Sequence, residues 1–119
     1  MKKVQPKILV VDDEALIRES IKITLSADGY EMHSASTGEE ALAKCLATEF
    51  DLVLTDHSMP GMKGQELAEM LKKNTGTKLI LMLTAAPPSE PQPFVDHLLL
   101  KPFSPHMFRL MIAGFLSHP

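Results

Sequence analysis

The sequence predicts a doubly wound α/β domain: one five-stranded parallel sheet with helices on both faces. Three observations carry this. Short apolar runs alternate with stretches of helical period. Each strand-like run stops at a polar residue. The 119 residues allow one domain, at roughly 100–200 residues per domain. Right-handed crossovers between parallel strands then wind helices onto both sheet faces.

The elements follow in order. Ile8–Val11 is a buried strand ending in Asp12 and Asp13. Glu14 to about Ala27 reads as a helix with Ile17, Ile21, Thr24 and Leu25 on one face, stopped by Asp28 and Gly29. Glu31–Ala35 is a weaker strand. Thr37-Gly-Glu-Glu40 is a capping box opening a helix whose inner face carries Ala41, Leu42, Cys45 and Leu46. Leu52–Leu54 is a third strand, continuing to Thr55 and Asp56. After the turn Met59-Pro-Gly-Met62, a helix from Gly64 to about Lys73 turns Leu67, Met70 and Leu71 inward. Leu79–Leu83, ending at Thr84, is the most apolar strand. His97–Leu100 is the fifth, ending at Lys101. Ser104 and Pro105 cap and start a last helix striped by Phe108, Met111, Ile112, Phe115 and Leu116. The domain is expected over 1–119, with its core at about 7–117.

Composition excludes several classes. The chain is 45% apolar and 23% charged, values of an ordinary globular domain. A net charge of −3 gives no reason to propose nucleic-acid binding. The single cysteine, Cys45, excludes an internal disulfide framework; it reads as a small core residue. The five histidines have no ligand spacing and read as surface residues. The apolar run after Lys2 and Lys3 is too short for a signal core, and no window approaches a membrane span, so a cytoplasmic location with no membrane partner is expected.

Chemistry concentrates at the strand ends. Asp12, Asp13, Asp56, Thr84 and Lys101 all fall at carboxyl ends of parallel strands, hence at one edge of the sheet. With strand order 2-1-3-4-5, the first and third strands flank the point where the order reverses, and three carboxylates meet there. They repel one another by roughly 1–4 kcal/mol per pair at about 4 Å. Lys101 offers one offsetting charge; a hard divalent ion with oxygen ligands, Mg²⁺, offers two. An aspartate so placed can attack phosphorus and form an aspartyl phosphate, a transfer that needs mainly positioning and charge stabilisation.

Val10-Val-Asp-Asp13, Asp56 followed by Met59-Pro-Gly-Met62 and Gly64, Thr84-Ala85 and Lys101-Pro-Phe103 together resemble the receiver domain of two-component response regulators. The resemblance covers nearly the whole chain and implies a flavodoxin-like, chemotaxis-regulator-like fold. It implies Asp56 as phosphoacceptor, Asp12 and Asp13 as Mg²⁺ ligands, the Ser58 backbone carbonyl as a further ligand, Lys101 at the phosphoryl group and Thr84 as switch hydroxyl. It also implies a histidine kinase or histidine phosphotransfer protein as donor, and Lys101-Pro102 as a cis peptide.

Two departures concern output. Where that family places its fourth helix, residues 85–96 hold Pro87, Pro88, Pro91 and Pro93. An interior proline costs a helix about 3 kcal/mol, so an extended loop is expected, with the sheet face near the fourth and fifth strands uncovered. That face, over 85–98, suggests an output partner, a homodimer contact or a mobile cover. At the switch position before the lysine, where the family usually has an aromatic, stands Leu98. Two other readings stay open: a receiver-like interaction module whose output is decoupled from phosphorylation, and a small Mg²⁺-dependent phosphohydrolase. Against the second, the position two beyond Asp56 is Ser58, not a second acid. No effector domain follows the last helix, so the chain reads as a stand-alone regulator or a piece of a larger one.

Overall fold

The computed structural model describes residues 5–117; Lys2, Lys3, His118 and Pro119 lie outside the described residues. Five parallel strands, β1 (Lys7–Val11), β2 (Glu31–Ala35), β3 (Leu52–Asp56), β4 (Ile80–Thr84) and β5 (His97–Leu100), form one sheet in the order β2-β1-β3-β4-β5. Four helices connect or follow them: α1 (Ala15–Ser26), α2 (Gly38–Ala47), α3 (Gly64–Asn74) and α4 (Pro105–Leu116). Residues 85–96, between β4 and β5, form no helix.

Strand alternation divides the core into two layers. Leu9, Val11, Val53 and Ile80 face Ala41 and Cys45 of α2 and Leu67, Ala68 and Leu71 of α3. Ile8, Val10, Leu52, Leu54, Leu81 and Leu83 face Ile21 and Leu25 of α1 and Phe108 and Ile112 of α4. The three central strands are apolar on both faces because both are covered.

Helix starts follow local chemistry. Thr37 accepts from the Glu40 N–H, and Glu40 accepts from the Ser36 N–H at 2.8 Å; that N–H holds the Glu40 carboxyl below its ordinary pKa. Ser104 accepts from the Met107 N–H, with Pro105 in the first turn. At the end of the sheet away from the strand termini, Arg109 of α4 grips Asp28 with two hydrogen bonds of 2.9 and 2.6 Å.

Two inner-face expectations need correction. Leu46 is 63% exposed, and Met70 also faces solvent. Each helix presents a narrower stripe than its apolar residues suggest: Ala41 and Cys45 for α2, Leu67, Ala68 and Leu71 for α3. Small residues let these helices sit close to the sheet, which turns Leu46 and Met70 past the contact line. The histidines also vary. His33 is half-buried, with Nε2 2.6 Å from Glu31 Oε2 and its ring edge-on to Phe50, and His97 stacks on Phe115 with centroids 4.3 Å apart.

The sheet face beside residues 85–96 is mostly covered. Phe94 and Val95 pack against the α2–α3 layer, and Met82 and Thr84 are buried beneath this stretch. Asp96 anchors its end, accepting from the Ile80 N–H at 2.7 Å and from Lys72 at 2.9 Å. Gln92 donates to Gln65 of α3 at 3.3 Å. The proline-rich segment is therefore a docked strap. Only β5 stays open, with Leu98 and Leu100 45% and 46% exposed.

Candidate functional site

The carboxyl ends of β1, β3, β4 and β5 meet at one edge, and the sequence-predicted residues lie there. Register sets the positions: Val11 pairs with Thr55, Asp56 with Leu83 and Thr84 with Leu100. Asp12 and Asp13 follow Val11, and Lys101 follows Leu100.

Carboxylate oxygens of Asp12, Asp13 and Asp56 lie within 4.8 Å of one another. Asp12 is buried, Asp13 is exposed, and the Asp56 side chain is 13% exposed. Lys101 Nζ is 3.2 Å from Asp56 Oδ1 and 3.8 Å from Asp12 Oδ2. One ammonium thus serves two of three carboxylates.

Asp12 is fixed by its backbone and one oxygen. Its N–H donates to the Ala35 carbonyl, and Arg18 donates to its carbonyl at 2.7 Å. Oδ1 accepts from the Glu14 N–H at 2.9 Å, at the start of α1. Oδ2 is buried with no hydrogen-bond partner among the described residues. Burial first, then the neighbouring Asp56 and Asp13 charges, push the Asp12 carboxyl above its ordinary pKa, against the Glu14 N–H and Lys101. A buried oxygen without a donor, beside two more carboxylates, is the donor set of a hard divalent cation, so these residues fit Mg²⁺.

Gly64 shapes the site from behind. A Cβ there would run into the Asp56 backbone carbonyl. Its N–H donates to the His57 carbonyl at 3.2 Å, so α3 starts hard against the residues after β3. Gly61, at φ +76°, makes the turn between them.

Thr84 is buried, and its hydroxyl donates to the Ala86 carbonyl at 2.8 Å. The Lys101 N–H donates to the Thr84 carbonyl at 2.7 Å, and Lys101-Pro102 is cis. Ser58 is exposed in the β3–α3 connection. Leu98 stands apart from the group: it pairs with Met82, two residues before Thr84. Beside the acidic site, the strap residues Pro88–Gln92 and the segment His57–Gln65 enclose a cleft of about 460 Å³.

Sequence reasoning did not find the Arg18 and Ala86 contacts or the strap anchors Asp96 and Gln92. The apolar pair Phe94-Val95 after the last proline was the available sign that the strap docks. Among the described residues, no helix is long and apolar enough to cross a membrane.

Comparison with known proteins agrees with the geometry. The response regulator receiver domain model matches residues 8–113. The transcriptional regulatory protein ResD of Bacillus subtilis is 38% identical over 94% of this chain and 48% of its own length. SrrA of Staphylococcus aureus is 30% identical over 92% of this chain and 47% of its own. The chain therefore spans about half the length of these curated relatives. Among solved structures, Thermotoga maritima response regulator TrrA in complex with Mg²⁺-BeF superposes with TM-score 0.87 at 36% identity, over 94% of this chain and all of that one. The same regulator in complex with the histidine kinase ThkA gives 0.84 at 36% identity, over 95% of this chain and all of that one. Chemotaxis protein CheY4 of Vibrio cholerae gives 0.82 at 33% identity, over 95% of this chain and all of that one. On fold, strand-end chemistry and these matches, the chain belongs to the response regulator receiver domain family.

Proposed function

We propose that Asp56 is the residue that accepts the phosphoryl group. The observation that carries this is Lys101 Nζ lying 3.2 Å from Asp56 Oδ1 within a three-carboxylate cluster. An Asp56 carboxylate oxygen attacks phosphorus, and the donor's leaving group departs on the opposite side. Lys101 then faces the new phosphoryl oxygens. Bound Mg²⁺ supplies charge neutralisation for the transferring group. Asp12 and Asp13, with Asp56 and the Ser58 carbonyl, are the oxygens that would hold it.

Thr84 serves as the switch hydroxyl. Its single proton, donated to the Ala86 carbonyl, is the one a phosphoryl oxygen would take. Leu98 lies on the strand that leads to Lys101 and completes the switch pair in this reading. The donor is a histidine kinase or histidine phosphotransfer protein, and the output partner reads the 85–98 region. The chain acts as a phosphoacceptor in the cytoplasm, not as a turnover enzyme, and forms one domain over 1–119 with its core at about 7–117. It uses neither nucleic acid nor membrane as a partner.

The test is intact-mass measurement after incubation with acetyl phosphate and Mg²⁺. One phosphoryl adduct is expected on the parent and none at that site on Asp56→Asn. An equal adduct on Asp56→Asn, or none on the parent, overturns the assignment. Steady hydrolysis of an added phosphoester would favour the phosphohydrolase reading.

A further inference from the structure

We propose that Arg18 is a positioning residue for the Mg²⁺ ligands. Its hydrogen bond to the Asp12 carbonyl holds the Asp12–Asp13 peptide where both carboxylates can take the ion. This rests on the reading of Asp12, Asp13 and Asp56 as the metal site.

Arg18 stands one turn into α1, its N–H donating to the Glu14 carbonyl. Helical side chains lean toward the helix N-terminus, and this one reaches back past the start of α1. Its Nη1 donates to the Asp12 carbonyl at 2.7 Å in a half-buried contact. That oxygen belongs to the peptide joining Asp12 to Asp13.

The two aspartates are restrained unequally. Asp12 has two further bonds, its N–H on the Ala35 carbonyl at 3.2 Å and the Glu14 N–H on Oδ1 at 2.9 Å. Among the described residues, neither the N–H nor the carboxylate of Asp13 makes a hydrogen bond. Lys101 reaches the carboxylates of Asp56 and Asp12, and no ion pair holds that of Asp13. Repulsion within the cluster pushes the exposed Asp13 side chain toward solvent. What orients Asp13 comes through the peptide before it, and Arg18 is the side chain that grips that peptide. Groups that pre-set metal ligands in this way are typically worth roughly 10–100-fold in metal affinity.

Charge alone argues for the opposite sign. A guanidinium beside a dication site repels the dication, so its removal would tighten binding. Glu40 of α2 tempers that repulsion: the Ser36 N–H above all, with the Lys44 and Arg18 charges after it, holds the Glu40 carboxyl below its ordinary pKa. The hydrogen bond is then the larger effect, and the direction of the change separates the two.

The test is Mg²⁺ titration of the 119-residue chain followed by amide NMR, on the parent, Arg18→Met, Arg18→Lys and Lys22→Met. Arg18→Met should bind Mg²⁺ about tenfold more weakly. Arg18→Lys, which keeps a donor on a long stem, should recover most of the loss. Lys22→Met removes an exposed cation of the same helix, paired to Glu19, and should not weaken binding. In EDTA, Arg18→Met should keep the parental amide shifts of β4 and β5 and change them at residues 12–15. At saturating Mg²⁺, its labelling by acetyl phosphate should return to within about twofold of the parental rate, as expected of a group that sets ligands and touches no phosphoryl oxygen. Unchanged or tighter binding by Arg18→Met, equal weakening by Arg18→Lys, or labelling still tenfold slow at saturating Mg²⁺ overturns the inference while the metal site stands. A parent that binds no Mg²⁺ overturns the metal site, and the inference with it.

Discussion

Replacing Asp12 with asparagine should stabilise the metal-free protein while removing its response to Mg²⁺. Asp12 faces the carboxylates of Asp13 and Asp56 within 4.8 Å and the Lys101 ammonium at 3.8 Å. At effective dielectrics of 80 to 20, each repulsion is about 0.9–3.5 kcal/mol and the attraction about 1.1–4.4 kcal/mol. Asp13 remains a neighbour in the unfolded chain, which trims the net repulsion; burial of Asp12 acts in the same direction as the repulsion and restores it. A gain of about 1–3 kcal/mol for the variant follows. Asparagine can still accept the Glu14 N–H through Oδ1, so the start of α1 is kept. For 119 residues the unfolding entropy is about 0.25 kcal/mol/K, so Tm should rise by roughly 4–12 °C in EDTA at neutral pH. The Asp12 pKa is raised in the folded state. The parent's relative stability is therefore complete below the unfolded value of about 3.9 and is lost as pH rises through the folded value. The gap between variant and parent should accordingly be absent near pH 3 and open toward neutrality. Saturating Mg²⁺ should reverse the ranking, since a ligand at 100 times its Kd stabilises by about 2.7 kcal/mol. Thermal melts across pH, with and without Mg²⁺, read all of this. A variant less stable than the parent in EDTA at neutral pH, or one gaining as much from Mg²⁺, would refute the reasoning.

Three further substitutions test other parts of the molecule. Asp96→Ala strips the Ile80 N–H and Lys72 of their partner; a loss of about 1–3 kcal/mol by denaturant melts is expected, with faster amide exchange at Ser89, Glu90 and Gln92 of the strap. Gly64→Ala drives a methyl into the Asp56 carbonyl; it should cost about 1–3 kcal/mol and slow labelling by acetyl phosphate, whereas Gly76→Ala, with open space around it, should leave labelling at the parental rate. Asp28→Asn loosens the contact with Arg109, whose hydrogen bond holds the Asp28 carboxyl below its ordinary pKa. That contribution is present above the unfolded value near 3.9 and lost as pH falls through the folded one, so melts of parent and variant should differ above about pH 5 and converge in strong acid.

Four of the five strands and their chemistry were legible because each couples an apolar run to a polar residue at its end; β2, Glu-Met-His-Ser-Ala, carries the weaker signal. Asp12, Asp56, Thr84 and Lys101 interrupt runs that would otherwise continue, and parallel topology brings such interruptions to one edge. Helix faces were less legible. Leu46 and Met70 carry the apolar character of core residues, but Ala41, Cys45 and Ala68 decide how closely their helices approach the sheet. The strap was half legible. Its prolines excluded a helix, while its docking depends on Phe94, Val95 and Asp96 meeting α3 and β4, contacts far apart in sequence. The openness of β5 depends in turn on how far that docking extends.

The strap has a consequence in the unfolded chain. Pro87, Pro88, Pro91 and Pro93 narrow what residues 85–96 can explore before folding, each restriction being worth about 0.4–1 kcal/mol where the native φ suits proline. An ordinary loop of this length would need more contacts to stay in one place. Here the disordered alternatives are scarce from the start, and a few anchors suffice: Thr84 to Ala86, Gln92 to Gln65, and Asp96 to Ile80 and Lys72. Stiffness therefore stands in for regular secondary structure in this chain, with most residues of that stretch left exposed.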